Sequence, residues 1–155
     1  MRVTSLIVAG MFVAAGFAQP SSAASCTATP QLHTDNYPGA PRIPFGNDLL
    51  QAAGKSVAAD GQRITIYGRL VDSACVPVSG ATVEIWQASP FGRYGVATPA
   101  ERVTAGPTFV GAGRATTDND GNFYFITAFP GPVLKRAPHV HMRVVAEGMN
   151  DFSTV

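Results

Sequence analysis

The stretch that decides the fold is residues 63–71, Arg-Ile-Thr-Ile-Tyr-Gly-Arg-Leu-Val. Ile64, Ile66 and Leu70 fall on one side of an extended chain. Thr65, Tyr67 and Arg69 fall on the other side. This period of two predicts a half-buried β-strand. Residues 81–87, Ala-Thr-Val-Glu-Ile-Trp-Gln, alternate in the same way and predict a second strand whose tryptophan lies near the core or at a loop junction.

Further strands are predicted towards the C-terminus. Residues 111–117 and 122–127 flank the turn sequence Asp-Asn-Asp-Gly at 118–121, which is typical of a β-hairpin. Residues 139–147 read as a last strand. Several short strands separated by turns predict an all-β, two-sheet β-sandwich over residues 63–155.

The N-terminal part of the chain has a different character. Residues 25–62 contain four spaced prolines, which exclude a long helix and predict an irregular arm. Within this arm, Asn47-Asp48 is expected to cap one short helical turn that Gly54 closes. His33 and Tyr37 are interpreted as surface or packing residues.

Residues 1–24 have the layout of a secretory signal peptide. Arg2 precedes an apolar run over residues 6–18, and small residues follow at 21–25. We expect cleavage after Ala23 or Ala24 and export to the periplasm or the medium, with no transmembrane segment left after cleavage. A lipoprotein cleaved before Cys26 is the alternative. In an oxidising compartment, Cys26 and Cys75 are natural disulfide partners.

Composition excludes several classes of protein. The chain has 155 residues, of which 46% are hydrophobic and 14% charged, and this balance argues against intrinsic disorder. Eleven Lys and Arg residues stand against ten Asp and Glu, which leaves no basic surface that would predict nucleic-acid binding. The oligomeric state has no signature in the sequence.

The stretch with the clearest chemistry is Arg-Ala-Pro-His-Val-His at 136–141. His139 and His141 are two apart in a predicted strand and therefore point to the same face, where both imidazoles can reach one metal ion. Alone, this spacing fits two surface histidines equally well. Tyr94 lies on the long loop after the tryptophan-containing strand, where a tyrosine is ordinarily a packing residue.

Three strings together resemble a known family, the intradiol ring-cleavage dioxygenases that act on protocatechuate and catechol. They are Val-Glu-Ile-Trp-Gln-Ala at 83–88, Gly-Arg-Tyr at 92–94 and Arg-Ala-Pro-His-Val-His at 136–141. The resemblance covers about residues 62–155. It implies a dioxygenase that uses Fe(III) and dioxygen to open a small aromatic diol between its two hydroxyl-bearing carbons.

The resemblance also implies a role for single residues. In the family, two tyrosines and two histidines hold the ferric ion, and phenolate oxygen suits the trivalent state. Tyr94, His139 and His141 match three of these ligands. Arg136 matches the family's arginine, which stabilises negative charge on the bound substrate.

The sequence departs from the family in two places. Val133 stands where the second, displaceable tyrosine is expected, and the chain stops at Val155, before the glutamine that lines the family's substrate pocket. The chain is therefore either truncated or a shortened relative. Two alternatives stay open: a metal-binding protein of this fold without ring cleavage, and a secreted β-sandwich binding module without metal.

Overall fold

The computed structural model describes residues 26–32, 43–51, 59–94 and 108–155. The predicted signal peptide, His33 and Tyr37 lie outside these residues. Within them, no helix is long and apolar enough to cross a membrane.

The described residues contain six antiparallel strands in two sheets and no helix. The strands are β1 (Arg63–Arg69), β2 (Thr82–Gln87), β3 (Ala112–Thr116), β4 (Asn122–Ala128), β5 (Val140–Val145) and β6 (Phe152–Thr154). One sheet pairs β1 with β4, and the other has the order β3-β2-β5-β6. The predicted all-β, two-sheet fold is confirmed.

The main core lies between the inner faces of the two sheets. Val83 and Ile85 of β2 and Phe125 of β4 are fully buried there, and Val144 of β5 is 4% exposed. These residues occupy alternate positions along their strands. The alternation seen in the sequence therefore marks the side chains that face the core. Burying a side chain of this size stabilises the fold by about 1.5–3 kcal/mol.

The predicted hairpin at 118–121 is wrong, although the turn itself forms. The Gly121 amide donates to the Asp118 carbonyl at 3.0 Å, which closes a tight turn. Yet β3 pairs with β2, and β4 pairs with β1, so the turn carries the chain from one sheet to the other. The turn residues fix the reversal of the chain, whereas the apolar face of each strand decides which sheet it joins.

Residues 43–51 of the arm run in extended form between the two sheets. Phe45 bridges to Arg114 of β3, and Asp48 bridges to Ile126 of β4. Residues 47–51 are not helical: the Asp48 carboxylate accepts a hydrogen bond from the Leu50 amide at 2.9 Å, but the Leu49 amide and the Asn47 carbonyl bond to Ile126 of β4. The rest of the predicted helical turn lies outside the described residues. This segment places Leu49 in the core, where it is fully buried.

Residues 26–32 form a strap along the edge of the four-stranded sheet. Cys26 and Cys75 form a disulfide with their Cα atoms 5.3 Å apart. At the other end of the strap, the Leu32 amide donates to the Ser153 carbonyl at 2.9 Å, and the Thr154 hydroxyl donates to the Pro30 carbonyl at 3.0 Å. The strap therefore links the turn that contains Cys75 to β6.

Candidate metal centre

The candidate site lies on the outer face of the four-stranded sheet, away from the core. In β5, Val144 faces the core, and His141 faces outward because it is three positions earlier. His139, two residues before His141, shares its side of the chain. On the neighbouring strand β2, Trp86 pairs directly with His141 and also faces outward.

Tyr94 reaches this face on a tightly folded turn after β2. The Ser89 amide donates to the Arg93 carbonyl at 2.8 Å, and the Gly92 amide donates to the Ser89 carbonyl at 2.9 Å. The Gly131 amide also donates to the Ser89 carbonyl, at 3.0 Å, which joins the Pro-Gly-Pro segment to the turn. At Gly92 the φ angle is +72°, and an added Cβ would overlap the Pro132 carbonyl oxygen, so this contact requires glycine.

The three predicted ligands meet. The Tyr94 hydroxyl oxygen lies 3.1 Å from His139 Nε2 and 3.2 Å from His141 Nε2. The two imidazole rings are nearly perpendicular, with centroids 4.9 Å apart and an interplanar angle of 82°. One hydroxyl and two ring nitrogens therefore converge on a single point of the sheet surface.

The tautomer of His139 follows from its backbone contact. His139 Nδ1 lies 2.7 Å from the carbonyl oxygen of Ala137. Since a carbonyl oxygen only accepts, Nδ1 carries a proton and donates, which leaves Nε2 as the ring nitrogen that can bind a metal. A ligating histidine in proteins is commonly fixed by a hydrogen bond of this kind.

Burial disfavours the charged forms of two residues of the site, His141 and Tyr94. The pKa of His141 is lowered to about 4, mainly because its ring is buried and further because His139 and Arg136 lie near. Burial raises the pKa of the Tyr94 phenol, and the positive charge of Arg136 opposes that rise. Arg136 itself is exposed, so its charge reaches both side chains from the solvent side.

Trp86 is the residue that sequence reasoning missed at this site. Its indole is stacked on the His141 imidazole, with ring centroids 5.0 Å apart and an interplanar angle of 5°. One step along the same face, Glu84 forms an ion pair with Arg143, in which Arg143 Nε donates to the carboxylate at 2.7 Å. Both contacts depend on the register between β2 and β5. The sequence pattern within a single strand does not show which residues of two separate strands pair.

A second tyrosine is not found beside these ligands in the part of the chain that the structure describes. Val133 lies in a tight turn with Arg136, where each backbone amide donates to the other residue's carbonyl. Tyr67 and Tyr124 pair with each other across the two-stranded sheet and are largely exposed there. The described residues also hold no cluster of three or more His, Cys, Asp or Glu that could bind a metal.

The donor set suits a metal ion. Donor atoms about 2.1 Å from a common ion, separated by angles of about 90–110°, lie about 3.0–3.4 Å apart. The distances of 3.1 and 3.2 Å from the Tyr94 hydroxyl to the two nitrogens fall in this range. Two imidazoles and one phenol are ligands that iron accepts.

Known proteins resemble this chain over most of its length. A family model described as "Dioxygenase" matches residues 40–154. The beta chain of protocatechuate 3,4-dioxygenase from Burkholderia cepacia is 34% identical over 111 residues, which are 67% of this chain and 47% of that protein. A putative dioxygenase of Rickettsia conorii is 34% identical over 148 residues, which are 91% of this chain and 70% of that protein.

A solved structure gives the same picture. The dioxygenase domain of a dioxygenase carbohydrate-binding protein fusion from Streptomyces sp. SirexAA-E superposes with a TM-score of 0.66 at 26% sequence identity. The match covers 83% of this chain and 73% of that domain. The chain nevertheless spans only about half the length of the protocatechuate dioxygenase subunit, at 47%.

Proposed function

The chain belongs to the intradiol ring-cleavage dioxygenase family, and on that premise we propose that it is an exported non-haem Fe(III) protein acting on a catechol-type diol. The reaction would consume dioxygen and open the ring between its two hydroxyl-bearing carbons. The observation that carries the proposal is the Tyr94 hydroxyl within 3.2 Å of both His139 Nε2 and His141 Nε2.

Each residue of the site has a distinct task in this proposal. Tyr94, His139 and His141 would hold the iron, and a bound ferric ion would bind the diol oxygens and make the ring reactive towards dioxygen. The hydrogen bond from His139 Nδ1 to the Ala137 carbonyl would orient Nε2 of that ring towards the metal, and burial disfavours the protonated form of His141, which could not bind a metal. The exposed guanidinium of Arg136 would stabilise negative charge on the substrate.

Val133 favours a second candidate, a metal-binding protein of this fold without ring cleavage. In the position where the family has its displaceable tyrosine, this valine can neither bind the metal nor accept a proton from the substrate. The two candidates share the metal site and differ only in turnover. A binding module without metal is a third reading, and the three converging donor groups argue against it.

Export is supported by the disulfide. Cys26 is bonded to Cys75, and a sulfur in a disulfide cannot also carry a lipid thioether. We therefore expect a free mature N-terminus just before Cys26. Sequencing the N-terminus of the protein recovered from outside the cytoplasm tests this, and a lipid on Cys26 would contradict it.

The central experiment is metal analysis of the purified protein, followed by a catechol oxygen-uptake assay. Wild-type protein should retain iron and show a visible tyrosinate-to-iron band. His139→Gln and His141→Gln should each lose the iron, and Tyr94→Phe should lose the band while staying folded. Tyr67→Phe is the matched control, because Tyr67 is 82% exposed on the other sheet. Colourless wild-type protein without iron would leave the binding module as the better reading.

Substituting Val133 separates the two metal-binding candidates. Val133→Tyr restores the missing phenol and should strengthen ferric binding and deepen the colour. If oxygen uptake with catechol rises at the same time, the absent tyrosine limits turnover. Stronger iron binding with no oxygen uptake in either protein would support metal binding without ring cleavage.

A further inference from the structure

Trp86 lies flat against the imidazole of His141. The two planes differ by only 5°, the centroids are 5.0 Å apart, and both side chains are 2% exposed. Direct pairing of Trp86 with His141 across β2 and β5 fixes this contact at the level of the backbone. A parallel stack of this kind is a specific orientation, and it adds to what burial alone contributes.

The indole is held by packing. Ile43 and Ala112 contact it in a small cluster on the outer face of the sheet, and Tyr94 packs against the same cluster. The buried indole Nε1 has no hydrogen-bond partner among the described residues. The aromatic face, and not the N–H group, is therefore the part of Trp86 that acts on its neighbours.

His141 has a second aromatic wall. His139 meets it nearly edge-on, with the planes at 82° and the centroids 4.9 Å apart. Rotation of the His141 ring about its Cβ–Cγ bond would drive its edge into the indole plane. The stack therefore keeps His141 Nε2 directed at the Tyr94 hydroxyl, at 3.2 Å.

We infer that Trp86 is a positioning residue of the metal site, which presets the His141 ring before any metal binds. The inference rests on the proposed function. A ligand that is already oriented loses less conformational freedom when the ion binds. Removing an outer partner of a metal ligand typically weakens metal affinity by about 10–100-fold, so the effect is measurable.

The test compares Trp86→Leu with Trp86→Phe, using Co²⁺ alone as the probe and its visible bands as the readout. Trp86→Leu keeps an apolar side chain without a flat face and should weaken Co²⁺ binding about tenfold or more. Trp86→Phe keeps the face and should restore most of the affinity. Phe125→Leu is the matched control, because Phe125 is fully buried in the core between the two sheets, away from the site. It should lower stability and leave the affinity unchanged.

A second measurement needs no metal. In metal-free protein, the ring current of Trp86 should shift the His141 ring protons upfield in the NMR spectrum, and Trp86→Leu should remove the shift. Unchanged His141 resonances in Trp86→Leu, or equal Co²⁺ affinity in all the variants, would overturn the inference. Failure to retain iron or to consume oxygen with catechol would instead count against the proposed function, because the NMR and Co²⁺ results stand apart from it.

Discussion

His141 is a buried imidazole whose protonation the fold opposes. Its pKa falls from 6.5 to about 4, because of burial first and then because of His139 and Arg136. Between these two values the unfolded chain binds a proton at this position that the folded chain does not bind. The free energy of unfolding of the metal-free protein should therefore decrease as pH falls from about 6.5 towards 4.

Urea unfolding at a series of pH values measures this effect. Other groups titrate in the same window, so the difference between wild-type protein and His141→Gln isolates the contribution of His141. That difference should be flat above pH 7 and change steadily below it. A difference that does not depend on pH would show that the folded protein protonates His141 as readily as the unfolded chain does.

At the level of single residues, the sequence predicted that Tyr94, His139 and His141 come together, but not the groups that surround them. The spacing of His139 and His141 indicates a shared face because strand geometry is local. The contact of Trp86 with His141 and the contact of the Ala137 carbonyl with His139 could not be predicted in this way. The first contact depends on the register of two strands that are far apart in sequence, and the second depends on the backbone path before β5.

The turn that carries Tyr94 offers a test at the level of elements. Gly92 and Gly80 have nearly the same positive φ, +72° and +73°, but of the two only Gly92 leaves no room for a Cβ, which would overlap the Pro132 carbonyl. A Cβ at Gly80 would meet nothing within 4 Å. Gly80→Ala should therefore cost about 1–2 kcal/mol, from the left-handed backbone alone. Gly92→Ala should cost clearly more, because the turn must also move away from the Pro-Gly-Pro segment.

Metal binding distinguishes these two variants further. Displacing the turn at Gly92 moves Tyr94, so Gly92→Ala should weaken metal binding, whereas Gly80→Ala should leave it unchanged. Thermal unfolding and metal titration of both proteins provide the comparison. Equal losses of stability would mean that the contact with Pro132 contributes nothing.

Among the elements, β1 and β2 were predicted almost to the residue, since alternation of apolar side chains is a direct consequence of a sheet with one buried face. The hairpin at 118–121 was wrong because a turn sequence specifies a reversal without specifying partners. The extended path of residues 43–51 was also missed. Its backbone bonds to both sheets, and these tertiary contacts override a local capping pattern.

At the level of the whole molecule, the disulfide fastens the strap to the sandwich. It joins cysteines 49 positions apart, and constraining a loop of that length contributes about 4 kcal/mol in the chain-entropy model. The double variant Cys26→Ser/Cys75→Ser should therefore unfold at lower urea concentration than the oxidised wild type. Reducing agent should lower the midpoint of the wild type and leave the variant unchanged. Coincident midpoints for the oxidised wild type and the variant would contradict this expectation.

The site and the core occupy opposite faces of the same strands, and this separates two kinds of mutational damage. In β5, Met142 and Val144 belong to the core, whereas His141 belongs to the site. Substitutions at Met142 or Val144 should yield unstable proteins, but the molecules that still fold should bind metal. Substitutions at His141 should yield folded protein without metal. A library of β5 variants, screened separately for protein abundance and for bound iron, would show that alternate positions of this strand control stability and metal binding. Loops around the site could then be redesigned without repacking the interior.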